Sequence, residues 1–161
     1  MNRESLPRES PKQRRQISTF EDLEVYRVAR VFRKAMYGVV KRLPEVERFG
    51  LASQIRRAAV SLANNIAEGH GRYHYLDQIK FMLHSRGSLE ELLDDLNVCE
   101  DEQYLLGEEI ASLKEDGWRV RQLIDGYVRY LRQQTIARSG SSVREDSPLY
   151  DEEVDDSRFS I

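Results

Sequence analysis

The chain is poor in the residues that punctuate or crosslink a fold. Of its 161 residues one is cysteine, Cys99, and four are proline: Pro7, Pro11, Pro44 and Pro148. A lone cysteine excludes an intrachain disulfide and makes a cytoplasmic setting the expectation. The absence of proline from residues 45–147 favours long helices, since proline inside a helix costs roughly 3 kcal/mol. Long apolar runs are also missing. No stretch approaches the roughly 18 residues a membrane span requires, and "MNRESLPRESPKQRRQ" lacks the apolar segment of a secretory signal. No segment shows the alternating polar and apolar pattern of a half-buried strand.

What is present is charge. Charged residues make up 33% of the chain, hydrophobic ones 40%, and the net charge is −3. Residues 1–17 carry five basic and two acidic side chains, while residues 138–161 carry three basic and seven acidic ones. Both ends are short of large apolar residues and are expected to be disordered tails, basic at the N-terminus and acidic at the C-terminus. Between them, residues 18–137 are expected to form one domain.

Within that domain the periodicity is helical. Ser18 and Thr19 ahead of Glu21 and Asp22 read as a helix start, and Val25, Ala29, Phe32, Met36, Val39 and Leu43 follow on one face. A second face runs Leu51, Ile55, Ala58, Leu62, Ile66, with Gly69 and Gly71 as its expected terminators, glycine taking the left-handed position after the last turn. The third is expected from about Tyr75 to Gln103, with Leu76, Ile79, Leu83, Leu89, Leu93 and Leu96 as its seam and Gly87 tolerated inside it for a close backbone approach. The fourth seam is Ile110, Leu113, Gly117, Val120, Ile124, Tyr127 and Leu131. Amphipathic helices with short connections predict an all-α fold, an antiparallel up-and-down four-helix bundle.

Catalytic constellations are sparse. His70 and His74 have a metal-like spacing with Glu68 nearby, but Gly69 and Gly71 interrupt the helix that would align them, and a solvated polar connector explains them more simply. "GHG" lacks the spacing of a phosphate loop. His84 has no evident partner, Cys99 reads as core, and acidic pairs such as Glu90–Glu91 or Asp94–Asp95 read as solvated faces. No enzyme, cofactor or metal is expected.

The first helix offers a binding face. Arg27, Arg30, Lys34 and Lys41 lie opposite its apolar seam, with Tyr26, Arg33 and Tyr37 on one shoulder, and no acid falls between Val25 and Pro44. Basic side chains neutralise phosphates and tyrosine stacks on bases, so Arg27, Arg30, Arg33, Lys34 and Lys41 form the candidate nucleic-acid-binding set. An ordinary solvated helix face is the plainer alternative. From Glu90 to Glu109 the pattern inverts, with nine acids and no Lys or Arg. One basic and one acidic face invite association with copies of the same chain.

On the second helix the polar residues fall on one stripe beside the apolar one: Gln54, Arg57, Ser61, Asn64, Asn65 and Glu68. Amides and a hydroxyl in this arrangement suit a surface that orders the helix against a neighbouring helix or subunit. Ala52, Ala58, Ala59, Ala63 and Ala67 permit close packing.

The segments "FEDLEVYRVA", "ERFGLASQIRRAAVSLANNIAEGHGR" and "RGSLEELLDDL" together resemble the proteins encoded in intervening sequences of bacterial 23S rRNA genes, over roughly residues 20–132. Tyr26 stands where tryptophan is usual in that family, and Leu62-Ala63 where a proline is common. The resemblance implies an antiparallel bundle assembling into a homopentamer, with nucleic-acid binding inferred and no catalytic residue. Related accessory proteins of diversity-generating retroelements bind a reverse transcriptase and nucleic acid. The expectation is therefore a non-enzymatic, cytoplasmic, homo-oligomeric scaffold associated with rRNA or another nucleic acid. The alternative is a protein–protein adaptor such as the accessory partner of a reverse transcriptase.

Overall fold

A computed structural model describes residues 19–142. The expected N-terminal tail, residues 1–17, lies outside the described residues, as do Ser18 of the expected helix start and residues 143–161 of the expected C-terminal tail, 138–161, whereas residues 138–142 are helical rather than the start of a tail. The helices are α1 (Glu24–Val40), α2 (Leu51–His70), α3 (Tyr75–Asp101) and α4 (Gly107–Ser142), with single 3-10 turns at Phe20–Asp22 and Glu45–Glu47. No strand occurs among the described residues. The all-α four-helix architecture expected from periodicity is what the described residues adopt.

The N-terminal signal makes a tight turn before it makes a helix. The Thr19 backbone N–H donates to the Asp22 carboxylate at 3.1 Å, closing the 3-10 turn, and Leu23 then becomes extended and buried before α1 begins at Glu24. The α1 seam is buried as expected except Leu43, which is half-buried beyond the helix end. At the α1–α2 connection, Glu47 accepts a hydrogen bond from the Leu51 backbone N–H at 3.0 Å and another from the Tyr104 hydroxyl at 2.9 Å. An acidic side chain there satisfies an unpaired amide and complements the positive end of α2. It also ties that connection to the one between α3 and α4.

Three expectations about glycine and the α3 seam are corrected. Gly69 lies inside α2 and is buried; a Cβ there would stand 2.8 Å from the Cβ of Phe81. It is a contact point between α2 and α3, and the helix continues to His70. Gly71 follows with φ −74°, a right-handed value, so neither glycine supplies a left-handed stop. Gly87 is within one continuous α3, but nothing lies within 4 Å of its would-be Cβ. The close approach falls instead at Gly117, where a Cβ would be 2.7 Å from Leu93 and 3.3 Å from Phe32.

On α3, Leu76 and Leu83 are 62% and 42% exposed and are not core. The buried line is Gln78, Met82, Ser85, Leu89, Leu92, Leu96 and Cys99, with Ile79, Leu93 and Asp95 beside it. Its steps of four and three are those of a coiled-coil seam. Polar members survive there because most have partners: Ser85 Oγ donates to the Leu62 carbonyl at 2.7 Å, and Gln78 Nε2 to the Arg72 carbonyl at 2.8 Å.

The helices alternate in direction. Helix α1 packs on α2 and α4, and α3 packs on α2 and α4, which sets α1 and α3 on the diagonal with their outer faces on opposite sides of the bundle.

Candidate nucleic-acid interface

The outer face of α1 exists because its seam is fully committed inward. Ala29, Phe32, Met36 and Val39 are buried, so the 3.6-residue repeat turns Arg27, Arg30 and Lys34 outward, with Arg33 half-buried on the shoulder. These residues, with Val31, Tyr37 and Val60 of α2, line an open groove of about 660 Å³. Val31 is 69% exposed, so the groove has an apolar wall as well as a cationic rim. None of Arg27, Arg30, Arg33 and Lys34 has an ion-pair or hydrogen-bond partner among the described residues. Lys41 is exposed at the end of α1 and lies outside the groove.

A second depression of about 550 Å³ continues along α2, lined by Arg56, Arg57, Ser61, Asn64 and Asn65 and joined to the first through Tyr37 and Val60. Two residue sets that the sequence assigned to separate roles thus meet on one face. The α2 stripe itself divides. Asn65 Nδ2 donates to the Ser61 carbonyl at 2.8 Å and to Ser61 Oγ at 3.0 Å, and Ser88 Oγ of α3 donates to Ser61 Oγ at 2.9 Å. Ser61 thereby links α2 to α3. Glu68 is exposed and pairs with Arg72. Gln54, Arg57 and Asn64 are exposed and have no partner among the described residues.

Arg56 and Arg119 also border this face. Arg56 lines the α2 depression and donates to the Arg48 carbonyl at 3.1 Å, and Arg119 shares a hollow with Arg27, Val31 and Asp116. Arg56 was legible as the neighbour of Arg57 in "QIRRAA". Arg119 was not, because only the packing of α4 on α1 brings it there.

The acidic stretch runs along α3, diagonal to α1, and on through the α3–α4 connection into the start of α4. Glu90 pairs with Arg121 at 2.9 Å and Glu100 with Lys114 at 3.4 Å, while Glu91, Asp101, Glu102 and Glu108 are exposed. At the end of the bundle Arg42 bonds Glu109, which holds that carboxyl below its ordinary range. Asp95 is the exception, 5% exposed with an unpartnered carboxylate oxygen; burial, then Glu91 and Asp94, push it up to about 6.

The remaining reactive groups are scattered. Burial, reinforced by Asp95 and Glu47, pushes the Cys99 thiol up to about 11, so it stays protonated at neutral pH. His70 ends α2, His74 precedes α3, and His84 faces outward against Phe81. Among the described residues no three His, Cys, Asp or Glu side chains gather as a metal site, and no helix is long and apolar enough to cross a membrane.

Comparison with known proteins agrees with the fold. A solved protein of unknown function from the S23 ribosomal protein family of Bacteroides thetaiotaomicron superposes with a TM-score of 0.61 at 21% identity, over 65% of this chain and 97% of its own. No curated protein matches the chain. Residues 21–126 match the family described as 23S rRNA-intervening sequence protein. That match begins within the first 3-10 turn and spans α1, α2, α3 and more than half of α4, including every groove residue, and on it the chain belongs to the 23S rRNA-intervening sequence protein family.

Proposed function

We propose that the protein is a non-enzymatic, cytoplasmic scaffold that binds RNA along the α1–α2 groove. The observation that carries this reading is the run of unpaired cations, Arg27, Arg30, Arg33 and Lys34, beside Tyr37 and the apolar wall of Val31 and Val60. Phosphates take the rim and unstacked bases the wall, the combination that single-stranded nucleic acid requires. Family membership supports an rRNA-linked role.

Homo-oligomerisation, with a pentamer implied by the family resemblance, is part of the proposal. Its support is the placement of the unpaired cations and the exposed acids on opposite sides, so that one copy's acidic face suits another's basic edge. Lys41 and the free polar groups Gln54, Arg57 and Asn64 then extend the contact beyond the groove.

Binding of a fluorescent single-stranded RNA by the parent and by R30Q/R33Q/K34Q tests the RNA reading. The triple variant is expected to bind at least tenfold more weakly at about 0.1 M salt, because each phosphate contact contributes counterion release. Equal binding by both overturns the assignment. Capture of a protein such as a reverse transcriptase, with no RNA affinity in the parent, makes the protein an adaptor instead.

A further inference from the structure

The two halves of the continuous groove differ in chemistry. Along α1 its rim is cationic, with Arg27, Arg30, Arg33 and Lys34, whereas the α2 depression of about 550 Å³ is edged by hydrogen-bonding groups, Arg57, Ser61, Asn64 and Asn65. Tyr37 and Val60 line both halves. Charge is enough to hold phosphates, but sequence is read by groups that match the donors and acceptors of a base edge. Arg57 and Asn64 are exposed and have no partner among the described residues. Arginine meets the O6 and N7 acceptors of guanine with two hydrogen bonds, and asparagine meets the N6 donor and N7 acceptor of adenine in the same way. We propose that Arg57 and Asn64 read purine bases, so that the groove selects single-stranded RNA rich in adenine and guanine. This inference rests on the RNA reading of the groove and adds base selectivity to it.

The fold holds the two side chains in register. Ala58, Ala59, Leu62, Ala63 and Ile66 are buried, which fixes the opposite edge of α2 outward. Arg57 and Asn64 stand two helical turns apart on that edge, roughly 10 Å along the axis. Between them Ser61 is bonded by Asn65 at 3.0 Å and by Ser88 of α3 at 2.9 Å. The floor between the two readers is therefore already satisfied and leaves the base edges to them. Tyr37 and Val60 offer an aromatic and an apolar surface on which an unpaired base packs. Duplex RNA hides its purine edges in a deep, narrow major groove, so the selectivity belongs to single strands. A base also matches Asn64 better than the acidic face of a second copy does. A carboxylate only accepts, and uses the donor half of this neutral amide, whereas the adenine edge uses both halves.

Short fluorescent RNAs of adenine, of uracil, and of uracil with spaced guanines, titrated at about 0.1 M salt, separate base reading from phosphate contact. The parent is expected to bind the adenine and guanine-bearing strands about tenfold more tightly than the uracil strand. A 7-deazaadenine strand, which keeps its stacking face but lacks the N7 acceptor, is expected to lose most of that advantage. Asn64→Leu is expected to bring adenine to the level of uracil. R57K, which keeps the charge, is expected to do the same for the guanine-bearing strand, and both variants are expected to keep the parent's salt slope. Equal affinity of the parent for all strands overturns the inference and leaves the RNA reading intact. Adenine preference that survives Asn64→Leu, or guanine preference that survives R57K, overturns the role of that residue. A loss spread evenly over all strands with a shallower slope marks phosphate contacts and overturns base reading. A changed oligomeric state of either variant in light scattering assigns the position to the contact between copies instead. A parent that binds none of the strands overturns both readings.

Discussion

Asp95 is the residue whose behaviour follows most directly from its surroundings. It sits in the α3 seam with an unpartnered oxygen, and burial with Glu91 and Asp94 raises its carboxyl from 3.8 to about 6. The folded state therefore holds this proton more tightly than the unfolded chain does. At pH 8 the ionised group destabilises the fold, and the penalty disappears as pH falls through 6 towards 4. A shift of that size corresponds to on the order of 2–3 kcal/mol. Asp95→Asn is expected to be more stable than the parent in urea unfolding at pH 8, with the gap closing towards pH 4; a variant no more stable at pH 8 contradicts the assignment. Glycine gives a second pair of opposite outcomes. Gly69→Ala pushes a methyl against the Cβ of Phe81, which a side-chain rotation cannot relieve, and is expected to cost about 1–3 kcal/mol. Gly87→Ala meets nothing within 4 Å and is expected to gain about 0.5–1 kcal/mol from helix propensity, read in the same unfolding curves.

Among the elements, α1, α2 and α4 were legible because each has one apolar stripe and little competing apolar surface. Helix α3 misled at Leu76 and Leu83, since leucines occur on more than one of its faces while Gln78, Ser85 and Asp95 occupy the seam. Periodicity counts apolar residues and is blind to a hydroxyl whose acceptor is the Leu62 carbonyl of another helix. The end of α3, expected at about Gln103, comes two residues earlier at Asp101, and the geometry of that ending was hidden. Gln103 takes φ 57°, with Gln103 N–H donating to the Glu100 carbonyl at 3.0 Å and Tyr104 N–H to the Cys99 carbonyl at 2.9 Å. This is a Schellman ending built on a residue that glycine would suit better. Gln103→Gly is expected to stabilise the protein by about 0.5–1 kcal/mol in thermal or urea unfolding. A loss of stability would show that the Gln103 side chain contributes more than its backbone strain removes.

For the whole molecule, the decisive feature is that the unpaired cations of α1 and the exposed acids Glu91 and Asp94 of α3 lie across the packing diagonal. The cations of α1 were visible on a helical wheel, but their continuity with Arg57 and Asn64 was not. A wheel treats one helix at a time, and only the packing of α1 on α2 brings Tyr37 and Val60 together as the shared wall. Family membership and the fold leave the ligand to this surface. The claim that Arg30, Arg33 and Lys34 contact phosphates fixes how RNA affinity must fall with salt. A single-stranded ligand loses affinity with a slope of about −0.7 in log K against log salt per phosphate neutralised. If the claim holds, R30Q/R33Q/K34Q makes the parent's slope shallower by about 2; an unchanged slope, or a parent that binds no RNA at about 0.1 M salt, contradicts it.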